Sequence, residues 1–163
     1  MIFVTVGTHE QPFNRLVEYM DWWAVEHDEE VVMQTGFSTY EPKKATWQKL
    51  FPYQEMIKKV DEARIVITHG GPSSFIMPLQ IGKIPVVVPR KADFDEHVNN
   101  HQVDFCNQVS QRQGNIIFIE DVEKLGDVLV HYDEIVSSMR NVLSSNNEKF
   151  CAEFEKIVDE LME

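Results

Sequence analysis

Cysteine is scarce: the chain of 163 residues has only Cys106 and Cys151. Neither stands in a CxxC or other ligand-like spacing, which excludes a disulfide framework and argues against a structural zinc site. Long apolar runs are also missing, since none approaches the roughly 20 residues that span a bilayer. The opening run, residues 1–6, passes directly into polar loop residues rather than into a signal peptide. A cytoplasmic protein is therefore expected. Basic residues are few, with 15 Lys plus Arg against 27 Asp plus Glu and a net charge of −12. That sign repels nucleic acid and anionic lipid at long range, so no nucleic-acid partner is expected. No short repeat or low-complexity tract occurs, which excludes solenoids, fibres and disordered tails.

What is present is an ordinary globular composition, 43% hydrophobic and 26% charged, long enough for a single domain over residues 1–163. The acidic excess is uneven. Residues 1–30 carry −6, residues 31–120 carry +1 and residues 121–163 carry −7, so an anionic substrate is least repelled by the middle of the chain.

Short β-branched runs at 2–6, 31–34, 65–68, 85–88 and 116–119 alternate with helical patterns at 13–27, 54–62, 73–81, 96–111 and 122–130. A longer helical pattern at 135–162 is interrupted near 144–147. The apolar runs are nearly continuous, as in strands buried on both faces, and the alternation implies βαβ units. The fold class is α/β, a doubly wound, mainly parallel Rossmann-like sheet. Residues 35–53 hold either one more short strand or an ordered loop. Ligands of such sheets bind outside the carboxyl ends of the strands. Three loops should thus converge, beginning at Gly7, His69 and Pro89.

The sharpest local signal is His69-Gly70-Gly71-Pro72-Ser73-Ser74. Two glycines after a strand permit a tight turn, and the helix that follows aims its N–H groups and positive dipole end at the cleft. Backbone amides with the Ser73 and Ser74 hydroxyls could hold a diphosphate, or a serine could simply cap the helix. No lysine completes a Walker loop, and the Gly7 loop lacks GxGxxG spacing. In Glu96-His97-Val98-Asn99-Asn100-His101-Gln102, His97 and His101 share a helix face one turn apart. Val98 replaces the glutamate of a zincin and no third ligand follows, so hydrogen bonding to hydroxyls and base edges fits better than metal. Arg90, after the fifth strand, either neutralises a diphosphate or is solvated. His9 is a candidate general base. Trp22 and Trp23 lie about 100° apart on the first helix, so one layer cannot bury both.

Four segments, Val4–Phe13, Thr68–Ser74, Gly82–Arg90 and Glu96–Gln102, together resemble the glycosyltransferase family 28 C-terminal domain in the family's order and spacing. The resemblance is closest to its stand-alone version, the PssE-like small subunits of bacterial exopolysaccharide and capsule glycosyltransferases. It implies half of a GT-B enzyme, a UDP-sugar-binding half without metal or other cofactor. A membrane-anchored, PssD-like acceptor-binding subunit would present the lipid-linked saccharide and hold the chain at the inner membrane face. Gly7, Thr8 and His9 match the first-loop motif, and Gly70, Gly71, Ser73 and Ser74 match the glycine-rich turn. Glu96, His97, Asn100, His101 and Gln102 match the polar helix start. Met77 stands where the family commonly has the ribose-binding glutamate, so the resemblance implies that ribose is read elsewhere, with Glu96 the candidate, or more weakly. Pro78 suggests a distorted helix start. Phe13, Trp22 or Trp23, and Phe150, Phe154, Ile157, Val158 and Leu161 are apolar candidates for a partner interface. A non-catalytic nucleotide-sugar-binding subunit and a metal-dependent α/β hydrolase are the alternatives.

Overall fold

A computed structural model describes residues 1–7, 11–91, 94, 101–113 and 115–143, with backbone alone at 72–73, 111–113 and 140–143. Thr8, His9, Glu96, His97 and Asn100, the Ser73 side chain and the apolar candidates beyond residue 143 lie outside the described residues.

The elements follow in the order β1 (Ile2–Thr5), α1 (Asn14–Glu26), β2 (Val31–Gln34), β3 (Thr46–Gln48), α2 (Tyr53–Glu62), β4 (Ile65–His69) and α3 (Pro72–Gln80). Then come β5 (Val86–Val88), α4 (His101–Gln113), β6 (Ile117–Phe118), a 3-10 turn (Val122–Lys124), α5 (Leu125–Val130) and α6 (Tyr132–Leu143). All six strands are parallel, in the order β3-β2-β1-β4-β5-β6. The chain winds outward from β1 to β3, then crosses back to continue from β4. The strand order therefore reverses between β1 and β4, which is where such sheets open a ligand crevice at their carboxyl edge.

Alternate residues of each strand feed different helical layers. Ile2, Val4, Ile65, Ile67, Val86 and Val88 pack with Leu16, Met20, Leu125 and Leu129 on one face. On the other, Phe3, Val32 and Val66 meet Val60 and Ala63, while Val87 meets Phe75, Phe105 and Val109. Burial on both faces explains why the strands read as unbroken apolar runs.

The structure decides or corrects several expectations. Of the two readings of region 35–53, the short strand is the one found, as edge strand β3. The pattern at 122–130 divides into a 3-10 turn and α5, and the last helix begins at Tyr132. Pro78 does not distort the start of α3 but sits in its last turn, where its carbonyl accepts the amides of Ile81 and Lys83. The cap of α3 is Gly71 rather than a serine, with Pro72 in the first turn. Phe13 is fully buried and Trp23 nearly so, which removes both as interface candidates, whereas Trp22 is 54% exposed. Among the described residues, no helix is long and apolar enough to cross a membrane.

Candidate functional site

Four loops meet at the carboxyl edge above the β1/β4 crossing. Gly7, two residues past β1, has φ +75°, and a Cβ added there would lie 2.2 Å from His69 Nε2. A Cβ on Gly71 would lie 2.2 Å from His69 Cε1. The imidazole of His69 is thus wedged between the turns that follow β1 and β4. Gly36, after β2, has φ +55°, and its absent Cβ would stand 2.6 Å from the Gly7 carbonyl. The fourth loop, after β5, is tied in by Arg90.

Arg90 is not solvated, which removes one of its two expected roles. It is fully buried, its guanidinium donates to the carbonyls of Val6 and Gln11, both at 2.6 Å, and it lies 5.2 Å from the centre of the Phe13 ring. The side chain latches the first loop to the end of β5. Its charge still contributes a positive potential under the crevice.

The glycine turn is also wired differently from the expectation. The Gly70 amide donates to Gln102 Oε1 at 3.1 Å, the Gly71 amide to His69 Nδ1 at 3.1 Å, and the Gly7 amide to Thr5 Oγ1 at 3.2 Å. All three N–H groups are engaged within the protein. Gly70 is required by packing, because its Cβ would press to 2.9 Å on Gln102 Cβ and 3.0 Å on Cys106 Sγ. The Cys106 thiol is buried in this contact, and burial pushes its pKa upward, away from the reactive thiolate.

Of the expected site residues, the structure thus brings Gly7, His69, Gly70, Gly71, Ser74, Arg90 and Gln102 together. His101 is exposed at the first described turn of α4. Gln102 is buried, and its Oε1 accepts from the Arg90 amide at 2.9 Å as well as from Gly70. One side chain therefore ties the end of β5 to the turn after β4. Among the described residues, no group of three or more His, Cys, Asp or Glu is placed to hold a metal.

Sequence reasoning missed the support beneath the first loop. Gln34 Nε2 and the Gly7 amide both donate to Thr5 Oγ1, while Gln34 Oε1 accepts from the Phe51 amide at 2.9 Å. Gly36 was equally missed, although a glycine just past an apolar strand signals close backbone approach.

The family model for the glycosyltransferase family 28 C-terminal domain matches residues 1–161. The chain belongs to this family. In structure this family 28 domain is similar to the glycosyltransferase SnogD from Streptomyces nogalater, at 16% identity and a TM-score of 0.44. That match covers 98% of this chain and 44% of SnogD, so the domain spans less than half the length of that relative. No curated protein matches it.

Proposed function

We infer that the chain is the donor-binding, catalytic subunit of a two-component, inverting, metal-independent glycosyltransferase. It would transfer a sugar from UDP to a lipid-linked saccharide in exopolysaccharide or capsule synthesis, as a PssE-like subunit does. The observation that carries this reading is a family 28 domain whose β1 and β4 turns meet at the point where strand order reverses. Breaking the glycosidic bond develops negative charge on the β-phosphate of UDP. With the glycine amides engaged elsewhere, that charge falls to the Ser74 hydroxyl, the positive end of α3 and the buried guanidinium of Arg90. His9, two residues after Gly7, is this chain's candidate for the general base. Glu96, His97, Asn100 and His101 are proposed for the ribose and the sugar.

Calorimetric titration with UDP in excess chelator is expected to show binding at least tenfold tighter than for ADP. A strict requirement for added metal, or preference for ADP, would overturn the reading.

A GT-B cleft lies between two Rossmann-like halves, and this domain supplies one. We expect the chain alone to transfer no sugar, and to move from the soluble to the membrane fraction when a membrane-anchored acceptor-binding partner is co-expressed. Exposed Trp22, which packs on Tyr19 with ring centres 5.5 Å apart, is the described aromatic of α1 open to such a contact. Full transfer by the purified chain alone would refute the two-component arrangement. Donor binding without transfer in the presence of the partner would make the chain a regulatory subunit instead.

A further inference from the structure

Within the proposed UDP-binding reading, the hydrogen bonds around His69 determine which way the Ser74 hydroxyl points. Gln102 Oε1 accepts two backbone amides, those of Gly70 and Arg90. Two obligatory donors fix the orientation of the carboxamide, so its NH2 group must be the end that lies 3.2 Å from His69 Nδ1. The Gly71 amide, at 3.1 Å, is a second donor to the same nitrogen. Nδ1 therefore presents its lone pair, and the ring proton sits on Nε2. Ser74 Oγ stands 2.9 Å from Nε2, so the hydroxyl oxygen accepts from the imidazole. Its own hydrogen has no acceptor among the described residues.

We propose that Gln102 and His69 are positioning residues that lock the Ser74 hydroxyl as an outward hydrogen-bond donor to a phosphate oxygen of the bound nucleotide. With the opposite tautomer, the serine would donate to the imidazole and turn lone pairs toward the anion. The ring has little freedom to leave this arrangement, because it packs so closely on Gly7 and Gly71 that neither could carry a Cβ. A hydroxyl held in one polarity before the ligand arrives needs no reorganisation when charge develops on the leaving diphosphate. The same wiring explains why the glycine amides are engaged inside the turn. They serve to fix the tautomer, and the tautomer fixes the donor.

The experiment reads the tautomer and the ligand separately. Nitrogen-15 NMR of the histidine rings in the full, ligand-free chain at neutral pH should show His69 with an unprotonated Nδ1 and a protonated Nε2. A protonated Nδ1, in either the neutral or the charged ring, overturns the proposal. Gln102→Glu keeps an acceptor for the Gly70 and Arg90 amides but sets a carboxylate oxygen against Nδ1, and it should bring a proton onto that nitrogen. An Nδ1 that stays unprotonated in this variant removes Gln102 from the relay. In titrations, Ser74→Ala should weaken UDP binding by roughly tenfold to a hundredfold, as expected for loss of a charge-assisted hydrogen bond, and change uridine binding by less than about twofold. Ser74→Thr should restore UDP binding. An equal loss for UDP and uridine would mean that the serine is merely structural. Wild-type protein that binds neither ligand would refute the UDP reading, while the tautomer, measured without ligand, would still decide the hydrogen-bond wiring.

Discussion

Gly7→Ala should abolish detectable UDP binding and destabilise the chain by about 2 to 4 kcal/mol, read as a lowered midpoint in urea. Two costs combine at this position. The backbone adopts φ +75°, a left-handed conformation that a side chain makes unfavourable by about 1 to 2 kcal/mol. The new methyl would also lie 2.2, 2.8 and 2.9 Å from Nε2, Cε1 and Cδ2 of His69. The imidazole is also packed close to Gly71, where an added Cβ would lie 2.2 Å from its Cε1. Either the first loop lifts off the sheet or the ring leaves its bonds to Gly71, Gln102 and Ser74, and both outcomes dismantle the crevice. Gly82 provides the internal control. It has φ +82°, but a Cβ there would meet nothing within 4 Å. Gly82→Ala should cost the backbone strain alone, about 1 to 2 kcal/mol, and leave UDP affinity unchanged. If Gly7→Ala proves no more damaging than Gly82→Ala, the wedged imidazole does not organise the site.

How far the sequence could anticipate this site depends on how local each determinant is. The strands were legible because parallel strands buried on both faces require unbroken apolar runs, and β2 begins and ends where its pattern does. The carboxyl-edge loops followed from strand direction alone. The division of labour within them was not legible. An arginine beside a proposed phosphate site invites an ionic role, but the carbonyls that accept from Arg90 belong to residues 79 and 84 positions earlier in the chain. Nothing local to Arg90 records that separation. Gln102 reads as part of a polar helix start, and only its placement over the glycine turn shows that its amide joins β4 to β5. Gly70 and Gly71 stand out in the sequence as a tight turn, but the packing that also requires them is not visible there. They make room for Gln102, Cys106 and His69. Asp21 lies in the middle of a helical pattern, where an acid ordinarily marks the solvent face. In the folded chain it is buried.

The second large effect is expected at Asp21, remote from the chemistry but decisive for the wall that the β2–β3 loop builds beside the first loop. Its Oδ1 accepts from the amides of Lys44 and Ala45 at 2.9 and 3.0 Å, and its Oδ2 from the Lys43 amide at 3.0 Å and the Tyr40 hydroxyl at 2.8 Å. Four donors surround one carboxylate on α1 and hold residues 40–45 against it. Nearby, Asn14 Oδ1 accepts the amides of Thr39 and Tyr40, and Ser38 Oγ accepts the amide of Phe13, so the same loop is stitched to the start of α1. Burial pushes the Asp21 carboxyl pKa upward, but the hydrogen bonds from Lys43, Ala45, Tyr40 and Lys44 outweigh it and hold the group below its ordinary value. A carboxyl depressed in the folded state stabilises fully above its unfolded pKa, near 4, and that contribution is lost as pH falls through the folded value. Asp21→Asn leaves one acceptor oxygen where two stood and turns an NH2 group against a pair of donors. The substitution should therefore cost about 3 kcal/mol at pH 7. Stability measured by urea denaturation between pH 7 and pH 3 should then separate the two proteins. The difference is expected to be constant down to about pH 5 and to shrink below about pH 4, where the wild type begins to lose its carboxylate. A difference that persists undiminished at pH 3, or one below about 1 kcal/mol at pH 7, would show that the loop is held by its other contacts and not by the charge of Asp21.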